Sequence, residues 1–433
     1  MKKLLIVLLT LALVLTFTAC GSQQGATSSN TPKETAPATA GEPVTIVYMT
    51  QSGMSDAMYK LIDQFETKNP GIKVQVNEVA ANDTYDQLVL TTQAGTAPDV
   101  FMSFWTISAA TNGLAAQLDE FIDMDEFTTR FASAAQGYGE WDGHIYAIPW
   151  RSGASVMYAN ATLFKQAGIE LPYTGWTWDE FYAAAEKLTD SVKGVYGFSM
   201  CGDSSDTGVE WQFWPFLLQA GGQILDSDNH AAFNSEAGVS ALEFIVKMID
   251  AGVIPSGIAS MNVDQQGELL ASGKLAMFQD GPWFLAPTKE KAAGNYEVVA
   301  LPMPTGAKSG SIAGGTALGM AANSKHKEEA WKFIEFMTSD DALNYWCEAA
   351  GQVSPLSTPG DSEYYKKDDY KVLQKQLTDS GTIVANHYAD SDELNTIMRN
   401  YLQSAYLHQM SPKEALDAAA KEWNAVLDKY YTK

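Results

Sequence analysis

Cysteine is scarce in this chain: Cys20, Cys201 and Cys347 are the only three in 433 residues. That excludes a scaffold built on disulfides, and a chain of this length can bury a core without such staples. Histidine is nearly as sparse. His144, His230, His326, His387 and His408 lie far apart, with no His-Glu-x-x-His and no Cys/His cluster, so no recognisable zinc motif exists. Basic residues are few, 28 Lys and Arg against 52 Asp and Glu, for a formal charge of −24. Phosphate backbones need clustered cations and so do anionic lipid surfaces, so neither is a partner for the body of the chain. The acidic excess is spread along the sequence and serves solubility. No Gly-x-Ser-x-Gly elbow is present, and the Gly-Lys within Gly267 to Leu275 lacks the spacing and the hydroxyl residue of a phosphate loop. A glycosidase needs two opposed carboxylates; the acidic content leaves such a pair open, but no motif points to one. Long apolar runs are also missing. Leu4 to Phe17 is apolar but for Thr10 and Thr16 and spans only about 14 residues, too short to cross a bilayer as a helix.

That short run is informative for what surrounds it. Lys2 and Lys3 precede it, and Phe17-Thr18-Ala19-Cys20-Gly21-Ser22 follows, the layout of a secretory signal. The exit resembles a bacterial lipoprotein signal, with Phe17 where Leu is usual. The resemblance implies cleavage after Ala19 and lipidation of Cys20. Gly21 to Gly41 is almost all Gly, Ser, Gln, Ala, Thr and Pro, too poor in apolar surface to fold. The expected layout is a signal peptide over 1–19 and a flexible tether over 20–42, placing the protein on the extracytoplasmic face of the cell membrane, a Gram-positive surface being favoured. Cys201 and Cys347 then remain, either paired or as two buried thiols.

About 390 residues are left, enough for two domains. Their first part alternates strand and helix. Val44 to Met49 is rich in β-branched residues; Ala57, Met58, Leu61, Ile62 and Phe65 recur at helical spacing, stopped by Asn69-Pro70-Gly71; Ile72, Val74 and Val76 alternate; Tyr85 to Gln93 is helical; Asp99 to Met102 is a short buried strand. This order predicts a mainly parallel sheet covered on both faces, with ligands taken at the carboxyl ends of its strands. Further helices are predicted from Trp178 to Leu188, behind a Thr177/Glu180 capping box, from Ser235 to Ala251, from Lys327 to Met337, and from Ser411-Pro412 to the C-terminus.

Several local patterns now add up. They include Phe65-Glu66-Thr67-Lys68-Asn69-Pro70-Gly71-Ile72-Lys73-Val74, Gly95-Thr96-Ala97-Pro98-Asp99-Val100 and Tyr146-Ala147-Ile148-Pro149. Met157-Tyr158-Ala159-Asn160, Leu163 to Gly168 and Trp176 to Phe181 follow, then Gly273 to Met277, Gly281-Pro282-Trp283 and Gly314-Gly315-Thr316. In order and spacing the chain resembles, from about Val44 to Lys433, the extracellular solute-binding proteins of ATP-binding-cassette sugar importers, the maltose-binding-protein-like class. The resemblance implies an α/β fold of two lobes, hinge-linked around a ligand cleft. The first lobe would hold 43–149 plus 314–355 and the second 150–313 plus 356–433, with crossings near Pro149, Gly314 and Pro355. It further implies a monomer that takes a carbohydrate and hands it to the transmembrane permease subunits, with no cofactor, metal or catalysis.

Sugars present hydroxyl edges and weakly apolar faces, so aromatic rings and polar side chains should share the site. Trp283 is the first candidate, held at a strand end by Gly281-Pro282; the equivalent residue in the resembled class stacks on sugar. Asp280 would accept hydroxyl hydrogen bonds. Trp105, Ser103 and Phe104 share the loop after the third strand. Glu210 and Trp211 lie on a predicted helix, with Trp214 assigned to the core. Arg151 and Ser152 follow the first crossing; the class carries an acid near Arg151, and the change keeps an acidic sugar open beside a neutral one. Gln51 and Ser52 end the first strand, and Gly315 and Thr316 sit at the return crossing. Asn82 and Asp83 are weaker candidates, Asp83 being placed to cap the next helix. The paired tyrosines Tyr364-Tyr365 and Tyr430-Tyr431 are read as structural, in surface-like, Lys-rich settings. Beside the sugar receptor stand three other readings: the same fold binding a polyol phosphate, polyamine or acidic sugar; a surface glycosidase or lyase; and an adhesin or sensor subunit.

Overall fold

The computed structural model describes residues 42–379, 381–385 and 387–431. The signal, the tether through Gly41 and the Cys20 lipidation site lie outside the described residues, as does the side chain of Asn82.

Strand β1, Val44–Gln51, runs parallel to β2, Ile72–Val79, in register from Val44↔Ile72 to Gln51↔Val79. Between them the Asp56–Lys68 helix buries Ala57, Met58, Leu61, Ile62 and Phe65, the face its spacing predicts, and stops at Asn69. Strand β3, Val100–Ser103, lies parallel to β1 on its other side. A small antiparallel ladder, β4 at Glu140–Trp141 and β5 at His144–Ile145, precedes the fully buried β6, Ala147–Ala154. Next comes β7, Val156–Asn160, which takes β8, Met277–Asp280, and β9, Val298–Leu301, on either side, both antiparallel. The chain then returns through β10, Ser311–Met320, and later adds β11, Thr382–Val384.

The larger sheet is therefore mixed, where an alternating strand–helix order predicts a mainly parallel one. The reason is the return path. Strand β10 re-enters from the far side of the molecule, so it meets β3 antiparallel over Ala317–Met320. Its other edge pairs antiparallel with β6, from Ala313↔Ala154 to Gly319↔Ala147, with a bulge between Thr316 and Ala317. Its opposite end, Ser311 to Ala313, pairs parallel with β11. A single bridge, Ser152↔Val353, adds a third segment beside this pair.

Two large apolar cores lie at either end of these shared strands. One packs Ile46, Tyr48, Phe65 and Leu318 under Phe333, Trp346 and Trp150, with the last two rings 4.7 Å apart. The other gathers Met157, Phe181, Phe216, Phe278, Trp214 and Trp423. The capping box forms as predicted: Glu180 N–H donates to Thr177 Oγ1 at 3.2 Å and Thr177 N–H to the Glu180 carboxylate at 2.7 Å. Asp83 does not cap with its side chain, although it precedes the Thr84–Gln93 helix. Cys201 and Cys347 are both buried free thiols, in different cores. Tyr365 is buried rather than surface-like, in a ring cluster with Tyr364 and Tyr370.

Candidate functional site

A cavity of about 520 Å³ opens between the ends of the two sheets. Gln51 and Ser52 reach it from the end of β1, Phe104 and Trp105 from the turn after β3, and Arg151 and Gly315 from the shared strands. Opposite them stand Glu210 and Trp211, on the Gly208–Gln219 helix, and Asp280 and Trp283, where β8 ends. The three tryptophans singled out in the sequence thus line one crevice.

Each is placed by local chemistry. After Asp280, Gly281 leads into a short 3-10 turn, Pro282–Phe284, with proline at its first position, where a missing N–H and a fixed φ are tolerated. This turn presents Trp283, half-buried, beside Trp211; their ring centroids are 5.4 Å apart and tilted by 53°. Both indoles rest on Gly314. A Cβ there would lie 2.4 Å from a Trp211 ring carbon and 2.9 Å from one of Trp283, so only glycine leaves room for the pair. Within the helix, Pro215 cannot donate to the Trp211 carbonyl four residues earlier. Side chains compensate next to that gap. Buried Gln212 donates to Gln266 at 2.7 Å and to the Gln279 carbonyl at 2.8 Å, while Gln279 donates back to the Gln212 carbonyl at 2.6 Å. These amides fasten the helix bearing Trp211 to the strand bearing Asp280.

Charge is unevenly divided. Arg151 is 8 % exposed and its Nη2 donates to Gln51 at 3.3 Å, while Nε has no partner among the described residues. Its guanidinium sits 5.5 Å from the ring centres of both Phe104 and Trp283, within cation–π range. Burial pulls it down to about 10, so it stays protonated at neutral pH. Across the cavity, Asp280 is 2 % exposed and accepts from Gly281 N–H at 2.6 Å. Burial pushes its carboxyl up to about 8, and the neighbouring Asp206 pushes the same way. Glu210 is also raised by burial, although Arg399 opposes this from 3.2 Å; its second oxygen, Oε2, has no partner among the described residues. Arg399 is itself held by the Ser204 carbonyl at 3.1 Å and by Thr396 at 2.7 Å. The Trp211 indole N–H is likewise buried and without a partner among the described residues. Three lining residues thus carry unmet hydrogen-bonding groups, an unusual concentration for buried polar atoms.

Three predicted residues stand apart. Ser103 does not line the cavity; its Oγ accepts from Trp105 N–H at 2.9 Å and sets the turn that aims the indole. Thr316 is fully buried beside the bulge and does not line it either. Ser152 is buried and paired to Val353 across the shared strands, off the cavity surface. Trp214 belongs to the second core, against Phe213, Phe233 and Trp423, with one edge at the cavity. Sequence reading missed Ala81, Asp206 to Gly208, Tyr138, Val263, Asp264, Phe284, Gly314 and Ala385. Asp206-Thr207-Gly208 had a signal, a polar helix start before an apolar run, and Gly314 had one too, as the first glycine of a pair inside a strand. Tyr138 and Ala385 had none. Among the described residues no group of three or more His, Cys, Asp or Glu is arranged to hold a metal ion.

The sequence profile of the bacterial extracellular solute-binding proteins matches residues 51–343. A binding protein of Brucella abortus is 30 % identical over 372 residues, 84 % of this chain and 88 % of that protein. The multiple sugar-binding protein of Streptococcus mutans is 25 % identical over 383 residues, covering 83 % and 86 %. Among solved structures, a solute-binding protein of an ABC transporter from Thermotoga lettingae, bound with α-D-tagatose, superposes with a TM-score of 0.79 at 26 % identity, over 89 % of this chain and all of that one.

Proposed function

The chain belongs to the bacterial extracellular solute-binding proteins, and from that premise we propose that it captures a sugar or short oligosaccharide in this cavity and delivers it to the permease of an ATP-binding-cassette importer. One observation carries the reading: the Trp211–Trp283 pair forms an aromatic floor in the same 520 Å³ space as buried carboxyls and a guanidinium that has no carboxylate partner among the described residues. Indole faces suit the C–H faces of a pyranose, and charged acceptors and donors suit its hydroxyl edges. The unmet groups on Arg151, Glu210 and Trp211 supply the polar demand that a polyhydroxylated guest meets. The S. mutans relative is a sugar-binding protein and the T. lettingae structure holds a ketohexose, in keeping with this reading. In it, Trp283, Trp211 and Trp105 contact the ring faces, and Asp280, Glu210, Arg151, Gln51 and Ser52 take hydroxyls. Gly315 lets backbone approach. Lobe boundaries at Pro149, Gly314 and Pro355, a monomeric state, and anchorage through Cys20 and its tether complete the proposal. The family binds solutes; here capture is proposed without turnover.

A thermal-shift panel of mono- and oligosaccharides, followed by calorimetry, tests this. One saccharide class should raise the melting temperature and bind with a stoichiometry of one, and no product should form. A panel with no shift and no heat would overturn it. Arg151 favours a second reading, an acidic sugar or polyol phosphate, because no carboxylate among the described residues pairs with it. A uronic acid binding far more tightly than its neutral parent would select that reading.

A further inference from the structure

Beside the cavity, two helices from opposite sides of the molecule meet through buried side chains. The Thr106–Thr111 helix starts directly after Trp105 and packs Ala109 with Met49 and Phe101 of the first sheet. The Ser391–Tyr406 helix packs Leu394, Met398 and Leu402 in the other core. These two helices meet at Ser108 and Ser391, both fully buried. The hydroxyls are 3.0 Å apart, and Ser391 N–H donates to Ser108 Oγ at 3.1 Å. Helices normally cap their first N–H groups with the residue that precedes them. Here that residue, Asp390, gives no cap; it sits in the left-handed region at φ +52° and its carboxylate accepts from Tyr430 at 3.0 Å instead. The cap comes from the opposite core.

We propose that Ser108 and Ser391 form a closure latch: the Ser108 hydroxyl caps the Ser391–Tyr406 helix only when the lobes are shut, so these serines set affinity without touching the guest. The latch rests on the two-lobe reading, in which proteins of this type close by hinge motion. A contact present only in the closed form adds its free energy to the closing equilibrium, and through it to binding. The capped helix also carries Arg399, which holds Glu210 in the cavity wall, so ordering its first turn steadies the site. Neither serine lines the cavity.

The direct test needs no guest. The double variant Ser108→Cys/Ser391→Cys is compared with itself, reduced and oxidised; the buried thiols Cys201 and Cys347 do not compete. Small-angle scattering of the reduced, guest-free protein should show a larger radius of gyration than the oxidised form, and acrylamide should quench its tryptophans more. Equal radii and equal quenching would show that the contact persists in the open state and would overturn the latch, leaving the saccharide reading untouched. As a second arm, Ser108→Ala removes both hydrogen bonds and Ser391→Ala only the hydroxyl pair. For the saccharide giving the largest shift in the panel, Ser108→Ala should weaken binding about fivefold, the worth of one net hydrogen bond, through faster release, and Ser391→Ala less. Unchanged release in Ser108→Ala would likewise overturn it.

Discussion

The two walls of the cavity are built by different means. The wall of β1, β3 and β6 is made mostly of strand ends: Gln51, Ser52, Phe104 and Trp105 project where β1 and β3 stop, while Arg151 lies within β6 and supplies the positive charge. The facing wall is a helix and a strand end locked together by buried amides, Gln212, Gln266 and Gln279, and it carries the carboxyls of Glu210 and Asp280, both pushed toward the protonated form by burial. The first wall depends on topology, since any parallel strand end offers loops for ligands. The second depends on side-chain registration, because its indoles meet only if helix, turn and β10 are mutually placed. The second wall should therefore be the fragile one, sensitive to changes that leave the first intact.

The largest effect is expected at the point where the second wall touches the shared strands. Gly314→Ala places a methyl group 2.4 Å from Trp211; overpacking of this kind costs about 1–3 kcal/mol. Calorimetry should show affinity for the panel saccharide falling by tenfold or more, while circular dichroism stays unchanged. Retained affinity would mean the indoles do not need their present tilt. Trp283→Ala should weaken binding by about 1–3 kcal/mol with a melting temperature close to wild type. If it unfolds the protein instead, Trp283 is core.

Asp280 sharpens the contrast in charge. Burial holds its carboxyl up at about 8, against an ordinary value near 4. The folded state therefore binds more protons than the unfolded chain between roughly pH 4 and 8, and the contribution of this group to stability falls as pH rises through that window. Asp280→Asn removes the dependence. Its melting temperature relative to wild type should rise steadily from about pH 5 to about pH 8, and a parallel pair of curves would contradict the assignment. The smallest effect is the control: Thr177→Ala breaks a capping box whose residues do not line the cavity and should cost about 1 kcal/mol of stability with binding unaltered.

Legibility followed the same division. The first wall was readable because β-branched runs and helical spacing fix where β1 and β3 end, and Gln51, Ser52 and Trp105 follow from those ends. Trp283 was readable from its Gly-Pro turn and family resemblance. What escaped depended on distant partners. The direction of β10 is decided by how the chain comes back, so the sheet turned out mixed. Gly314 mattered more than its neighbour Thr316 because of two indoles more than 30 and 100 residues away in sequence. Ser103 looked like a ligand residue and instead fixes a turn, since a serine at a strand end can serve either purpose. Tyr138 and Ala385 enter the cavity from segments with no motif at all.

What occupies the space between the walls decides the function of this chain. A crystal structure of the chain with the saccharide selected by the panel should show a sugar ring stacked on Trp283 or Trp211, with hydroxyls in hydrogen-bond reach of Asp280 and Arg151. A sugar bound elsewhere on the surface, with those indoles packed only against each other and Gly314, would contradict it.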